Sequence, residues 1–375
     1  MKQRLILLVF SVFLSIIVFG QSQEKIYYDE NWKVCSKSDA DYYRLITFDE
    51  KGKMAKHTSG YIKRKKIANS GKNNLFYELF EPINEPPKAT VLILHGMQEH
   101  SGRYKNFAEY LSNNGFAVLL YDHLGHGKTA ENREELGYFQ IENPKQQLID
   151  DAATMAGFLE NNYPNISHFL LGHSMGSFIA RCLLQNQEAD FKGAIIVGTG
   201  GKINGIGLAK FFLSINNIIA PKHRSKFINR TFSKINNQQF KGEKDGDLTS
   251  WLSLSKSNRE SFCQDSLCGV PFTNNGFYAL VSLNQQATER KWEEKIPKEF
   301  PFLFVSGADD PIGDFGKGVE KTVTQMQKDG FTDVNAKIYP AMRHEILNED
   351  IKESVYENIK DWIYEKISQP KKYFN

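Results

Sequence analysis

The sequence has few cysteines, little net charge and no metal-ligand spacing among its histidines. Only 4 of the 375 residues are cysteines, which excludes a disulfide scaffold; Cys263 and Cys268 are close enough to pair, and the sequence leaves that open. A formal net charge of +3, without a basic run interleaved with aromatics, argues against a nucleic-acid partner. The 9 histidines lack H-x-x-x-H and H-E-x-x-H spacing, so no metal is expected.

Long hydrophobic runs are also absent, except at the amino terminus. Lys2 and Arg4 precede the apolar stretch 5–19, and Gly20 follows it. This order predicts a secretory signal peptide over residues 1–20. The stretch is shorter than the roughly 20 apolar residues of a transmembrane helix. We therefore expect an exported protein, periplasmic or secreted; the alternative is anchoring in a membrane by the uncleaved segment.

The remaining chain has two parts of unequal size. Residues 21–60 show short strand patterns separated by turns, which predicts a small β-rich accessory extension. From 61 to 375, strand-like and helix-like segments alternate, which predicts an α/β domain with a mostly parallel central sheet and helices on both faces. The alternation stops between about 201 and 297, and we interpret this segment as an inserted cap. The competing interpretation is that its apolar helical stretch belongs to the core of the main sheet.

A G-x-S-x-G pentapeptide at 172–176 supplies the candidate nucleophile. An apolar run precedes it and a helix-compatible run follows it. Strand, tight turn and helix in this order predict a nucleophile elbow with Ser174 at its apex. Gly172 and Gly176 leave room where the backbone folds back on itself. Such a serine needs a base within hydrogen-bond reach and an acid that orients the base.

His344 is the candidate base, because the order in this context is serine, acid, histidine and only His223 and His344 follow Ser174. His344 follows a predicted strand, whereas His223 lies in the cap. Asp310 is preferred as the acid over its neighbour Asp309, although either could simply form the turn.

Two backbone N–H groups must stabilise the oxyanion. Met175, directly after the nucleophile, supplies one by geometry, and Met97, at the end of an early apolar strand, is expected to supply the other. This mechanism requires no cofactor.

These motifs resemble those of the α/β-hydrolase superfamily, most closely its monoacylglycerol lipase and lysophospholipase branch, grouped with the serine aminopeptidases. The resemblance extends from about residue 75 to 367, and it rests on the runs 95–104, 122–127, 172–176 and 307–310 together with His344. It implies that Ser174, Asp310 and His344 form the triad and that Met97 and Met175 are the oxyanion donors.

The resemblance also implies candidate substrate-binding residues. Glu99 and Arg103 match positions that shape the glycerol end of the site in monoacylglycerol lipases, and His173 beside the nucleophile is grouped with them. Ser177 departs from the family pattern, which has a second glycine there, and the cap is weakly matched.

The predicted function is hydrolysis of a carboxylic ester, most closely a monoacylglycerol or lysophospholipid, through an acyl-enzyme. One alternative is an aminopeptidase of the proline-iminopeptidase type, which needs acidic groups in the cap such as Glu243, Asp245, Asp247, Glu260 and Asp265. Another is a hydrolase-like binding protein without catalysis. We expect a small-molecule or lipid substrate and a transient contact of the cap with a membrane surface. The apolar side of 205–220 is further expected to line an acyl channel above the serine.

Overall fold

The structure is a computed structural model that describes residues 26–28, 34–35, 42–48, 54–64, 74–83, 85–139, 142–186, 190–203, 205–243 and 246–368. The predicted signal peptide, residues 1–20, lies outside the described residues. Within the described ranges, no helix has the length and apolar character needed to cross a membrane.

The strands of the described chain form one 11-stranded sheet in the order β11-β10-β9-β8-β6-β7-β5-β4-β3-β1-β2. These are β1 (Ile26–Tyr28), β2 (Val34–Cys35), β3 (Tyr42–Phe48), β4 (Met54–Lys63), β5 (Asn74–Glu81), β6 (Ala89–Leu94), β7 (Phe116–Tyr121), β8 (Ser167–His173), β9 (Gly193–Val197), β10 (Phe302–Gly307) and β11 (Val334–Tyr339). Strands β6 to β11 pair in parallel. β6 to β10 are entirely or almost entirely buried, in agreement with their apolar sequences.

The predicted boundary at residue 60 falls inside β4. β4 pairs antiparallel with β5 over Lys56–Lys63 and with β3 on its other side, so Tyr42–Phe48 and Met54–Lys63 continue the central sheet instead of packing on it as a separate ribbon. The edge of β5 offers unpaired backbone N–H and C=O groups, which a further strand satisfies.

Helices cover both faces of the sheet. The helices of the described ranges are α1 (Lys105–Asn113), α2 (Pro144–Asn162), α3 (Met175–Asn186), α4 (Ile206–Ile219), α5 (Lys226–Asn236), α6 (Lys256–Gln264), α7 (Asn274–Thr288), α8 (Lys317–Lys328) and α9 (Lys352–Ser368), with 3-10 turns at Ser101–Tyr104, Arg133–Glu135, Gln238–Phe240 and Ile346–Asn348. Helices α2, α3, α7 and α8 share one hydrophobic core with the sheet, and α1 and α9 share the core on the opposite face. The sheet is thus fixed on both sides, which makes its strand ends a rigid platform.

The cap is shorter than the predicted segment 201–297. Phe277 and Leu283 of α7 are buried in the core with α2 and α3, so α7 belongs to the sheet-covering layer. The name cap is kept for α4, α5, α6 and their connections. The part from α5 to Cys268 has a small apolar cluster of its own around Trp251, whereas Leu213 of α4 lies in the main core with α7. Cys263 and Cys268 are both free thiols and do not pair.

Candidate active site

Ser174 occupies the sharp turn between β8 and α3. Its φ of 52° is left-handed, a conformation that a non-glycine residue adopts only under constraint. The Ser174 N–H donates to the carbonyl of Val197 at 3.0 Å, which ties the turn to the neighbouring strand. A Cβ on Gly172 would lie 2.3 Å from the Gly176 carbonyl oxygen, and one on Gly176 would lie 2.1 Å from that of Leu94. Both glycines are therefore required by the close approach of helix and strands.

Asp310 and His344 form a buried hydrogen-bonded pair. His344 Nδ1 lies 3.0 Å from both carboxylate oxygens of Asp310, and the two residues are 2% and 0% exposed. The backbone N–H of Ile312 donates to Asp310 Oδ1 at 2.9 Å and orients the carboxylate. Asp309 is only half-buried, and its backbone N–H donates to the Met342 carbonyl. Of the two neighbouring aspartates, it is Asp310 that contacts the histidine.

The second nitrogen of His344 is available as a base. An ionised carboxylate only accepts hydrogen bonds, so His344 donates to it from Nδ1 and carries a lone pair on Nε2. Nε2 is buried and has no hydrogen-bond partner among the described residues. His344 and Ser174 line the same cavity, and the Trp251 ring packs against the imidazole with ring centroids 4.9 Å apart. Nε2 can therefore accept a proton, and Ser174 lines the same cavity without being hydrogen-bonded to it.

The predicted oxyanion donors lie at the start of α3 and in the loop after β6, residues 95–100, which is called the oxyanion loop. Met175 is the first residue of α3, where backbone N–H groups have no intrahelical acceptor. Met97 lies in the facing loop, which approaches so closely that a Cβ on Gly96 would lie 3.1 Å from Ser174 Cβ. The cap holds this loop, because the Gly269 N–H donates to the Gln98 carbonyl at 2.8 Å.

Glu99 is the buried centre of the oxyanion loop. Its Oε1 accepts from the Gly96 N–H at 2.6 Å and from the Tyr104 hydroxyl at 2.6 Å, and it lies 3.3 Å from His173 Nδ1. His173 Nε2 lies 3.1 Å from the His344 carbonyl oxygen, so both ring nitrogens face acceptors. Burial opposes both charges, but mutual hydrogen bonding holds the pKa of Glu99 well below its usual range and raises the pKa of His173. The hydrogen-bonded pair supports the loop from its buried side.

Arg103 joins three separate segments of the chain. It contacts Glu99 at 3.1 Å through Nη1 and pairs with both carboxylate oxygens of Glu345, which directly follows His344. Its Nη2 also donates to Asn258 of the cap at 2.9 Å. Burial lowers the pKa of Arg103, but the Glu345 carboxylate outweighs burial and raises it. Arg103 thereby connects the oxyanion loop, the histidine loop and the cap.

A cavity of about 220 Å³ lies above Ser174. The predicted residues Met97, Glu99, His173, Ser174 and His344 line it, whereas Arg103 lines a neighbouring polar cavity of about 580 Å³. The cap contributes the apolar wall, formed by Phe232, Leu248, Trp251, Leu252 and Phe262.

The expectation that segment 205–220 lines the acyl channel is wrong. Phe211 and Phe212 of α4 are 59% and 56% exposed and do not line the cavity. α4 packs on α7 with one side and leaves its other apolar residues on the surface. The cavity wall comes instead from α5, α6 and the segment between them.

Sequence reasoning assigned no role to four residues that the structure brings to the site. Tyr104 and Glu345 directly follow Arg103 and His344, so adjacency to a motif was the available signal. Trp251 and Asn258 come from the cap, where no motif or spacing marks them.

One group of side chains in the described ranges has the composition of a metal site. The ligand atoms of His100, Asp265 and Cys268 lie within 4.8 Å of one another. His100 Nδ1 accepts from the Gly102 N–H at 3.2 Å, so Nε2 carries the proton, which it donates to Asp265 at 2.8 Å. The hydrogen bonds of this histidine therefore account for its position.

Comparisons with known proteins identify the family of the chain. Residues 85–351 match the family described as serine aminopeptidase, S33. The chain is 24% identical over 308 residues to monoglyceride lipase from Mus musculus, with 80% of this chain and 90% of that protein covered. It is 21% identical over 311 residues to monoacylglycerol lipase from Mycolicibacterium smegmatis, with 79% and 95% covered.

A solved structure of an esterase also matches the chain. The thermostable carboxyl esterase from Bacillus coagulans, in complex with glycerol, matches with a TM-score of 0.74 and 27% identity, and 83% of this chain and 99% of that chain are covered. The predicted α/β-hydrolase fold and the prediction of a carboxylic ester hydrolase are confirmed. The chain belongs to the serine aminopeptidase, S33, family of α/β hydrolases.

Proposed function

We propose that the protein hydrolyses esters of single-chain lipids, monoacylglycerols in particular, with Ser174 as nucleophile. His344 accepts the serine proton through Nε2, and Asp310 holds the required tautomer. The N–H groups of Met97 and Met175 stabilise the oxyanion, and His344 donates the proton to the glycerol oxygen as the ester bond breaks and the acyl-enzyme forms. His344 then accepts a proton from the attacking water and returns it to Ser174 as the fatty acid leaves. The observation that carries the proposal is that His344, hydrogen-bonded to Asp310, lines the same cavity as a left-handed Ser174.

The walls of the cavity support an acyl substrate. Phe232, Trp251 and Phe262 form an apolar side, and each CH₂ group that a substrate buries there gains roughly 0.8 kcal/mol. Relatives named monoglyceride lipases and an esterase solved with glycerol support a glycerol ester.

The acidic residues of the cavity and the cap favour an ester substrate over a peptide substrate. Glu99 and Glu345, the acidic residues of the cavity, are both paired with Arg103 and are not free to bind a substrate amine. The cap acids do not line this cavity: Glu243 pairs with Arg343, Asp265 with His100 and Asp247 with Arg259, and Glu260 lies near Lys256. Asp245 lies outside the described residues.

A substrate panel tests the proposal. Purified protein without residues 1–20 should hydrolyse monoacylglycerols faster than lysophospholipids and much faster than aminoacyl anilides. Phe232→Ala should reduce the gain in kcat/KM from acetyl to long-chain esters, because it removes part of the apolar wall. A preference for aminoacyl anilides would reject the lipid substrate and favour the aminopeptidase.

The exposed face of α4 supports contact with a lipid surface. Leu208, Phe211, Phe212, Ile218 and Ile219 are each more than half exposed on this one helix. Contiguous exposed apolar residues of this kind are typical of membrane-contact helices. Phe211→Asp should weaken co-sedimentation with phospholipid vesicles and leave hydrolysis of a soluble acetyl ester unchanged. Equal vesicle binding by the variant and the wild-type protein would reject this contact.

We also propose that the protein is exported after cleavage near residue 20, as the amino-terminal pattern predicts. Sequencing the amino terminus of protein recovered from outside the cytoplasm should find residues 1–20 removed. Recovery of the full-length chain in the membrane fraction would favour the anchored alternative.

A further inference from the structure

Hydrogen bonds connect three buried side chains behind the nucleophile elbow. Arg181 Nη1 donates to the Thr199 hydroxyl at 3.4 Å and to the Gly200 carbonyl at 3.2 Å. Thr199 Oγ1 and Ser177 Oγ are 2.9 Å apart, and Ser177 Oγ donates to the Ser174 carbonyl at 2.5 Å. Arg181, Thr199 and Ser177 are 1%, 1% and 0% exposed, so water does not compete for these bonds.

The chain of hydrogen bonds has one direction. A hydroxyl has a single proton, and that of Ser177 is used on the Ser174 carbonyl. Ser177 Oγ therefore accepts from the Thr199 hydroxyl, which in turn accepts from Arg181. In a low-dielectric interior, consecutive hydrogen bonds with the same direction strengthen one another.

The first member of the chain is a buried cation without an ion-pair partner. No carboxylate of the described residues lies within 4.0 Å of the Arg181 guanidinium, which stacks on Trp292 at 4.1 Å. Fully buried arginines are normally paired. Burial lowers the pKa of Arg181 to about 10, so the group remains charged at neutral pH.

The last member of the chain is the peptide that contains an oxyanion donor. The Ser174 carbonyl and the Met175 N–H belong to the same planar amide. We propose that Arg181, Thr199 and Ser177 are positioning residues that fix and polarise this amide, so that the Met175 N–H is a stronger donor to the oxyanion. The inference rests on the proposed roles of Ser174 and Met175. It also gives a reason for the hydroxyl at Ser177, where the family pattern has a glycine.

Substitutions along the chain test the proposal. Removing an entire oxyanion donor costs roughly 10²–10³-fold in kcat, and losing a group that polarises one should cost a part of this, about 3–10-fold. Ser177→Ala and Thr199→Val should each lower kcat by that factor at unchanged KM. Affinity for a trifluoromethyl ketone, whose serine adduct carries an oxyanion, should fall in parallel. Thr199→Ser keeps the hydroxyl and should restore both values.

The double variant and the wild-type protein complete the test. In a Ser177→Ala background, Thr199→Val should have no further effect on ketone affinity, because the chain is already interrupted. The inference would be overturned if both single variants bound the ketone with wild-type affinity, or if the losses of ketone affinity added up in the double variant. This holds even if the substitutions lower the free energy of unfolding. Absence of ester hydrolysis by the wild-type protein would overturn the proposed function and the inference with it.

Discussion

Acidification should destabilise the protein through three buried histidines. His95, His123 and His126 are 0–2% exposed, and the His95 ring centroid lies 4.1 Å from that of His123 and 5.0 Å from that of His126. His123 Nδ1 and His126 Nε2 have no hydrogen-bond partner among the described residues, so an added proton there has no acceptor. Burial and the neighbouring rings lower the pKa of His95 to about 4, that of His126 to about 3 and that of His123 well below its usual value.

The sign and size of the effect follow from linkage. A lowered pKa in the folded state means that the unfolded state binds more protons at acidic pH. The contribution of these histidines to the free energy of unfolding is therefore fully present above pH 6.5 and is lost as the pH falls toward the pKa values of the folded state. Each histidine contributes a loss of about 1.4 kcal/mol per pH unit in that window. Burial raises the pKa of Asp151 to about 6, and its protonation in the folded state offsets roughly one histidine. The free energy of unfolding should therefore fall by about 2–3 kcal/mol between pH 6 and pH 5.

Urea unfolding followed by circular dichroism at pH 7.5, 6 and 5 measures this slope. His126→Gln is the matched control, because it removes one titrating group and should reduce the loss between pH 6 and 5 by about 1.4 kcal/mol. The comparison uses slopes, so a general loss of stability in the variant does not affect it. A wild-type stability that is constant or rises between pH 6 and 5 would refute the reasoning.

Two further predictions concern the catalytic turn and the acid. Asp310→Asn should lower kcat by about 10⁴-fold, because an amide does not hold the histidine tautomer, whereas the matched variant Asp309→Asn should retain near wild-type kcat. Steady-state assays of both variants check this, and equal losses would contradict the assignment. Gly176→Ala would place a methyl group 2.1 Å from the Leu94 carbonyl oxygen, so its melting temperature should fall by many degrees or the protein should fail to accumulate. A melting temperature equal to that of the wild-type protein would show that the turn has more space than described.

The sequence predicted the parts of the site that follow strand ends. Buried apolar strands and the G-x-S-x-G turn have local signatures in the sequence. The expected order of serine, acid and histidine along the chain left His344 as the candidate base. The local pattern gave only a preference for Asp310 over Asp309, because both residues can form the turn. What distinguishes them is which carboxylate contacts His344, and this depends on tertiary structure.

The cap could not be predicted in the same way. An apolar helix such as α4 has the same sequence pattern whether its face lines a cavity or remains on the surface, and only packing against α7 distinguishes the two. The contact of Arg103 with Glu345 joins residues 242 positions apart, and no periodicity encodes it. The extension of the sheet by β3 and β4 likewise depends on the free edge of β5.

The role of Ser174 is tested most directly by labelling the protein with a fluorophosphonate probe and mapping the modified peptide by mass spectrometry. The proposed mechanism predicts stoichiometric labelling of Ser174, with a much lower labelling rate in His344→Gln, because the histidine accepts the serine proton. Labelling at another residue, or an unchanged rate in His344→Gln, would contradict the mechanism.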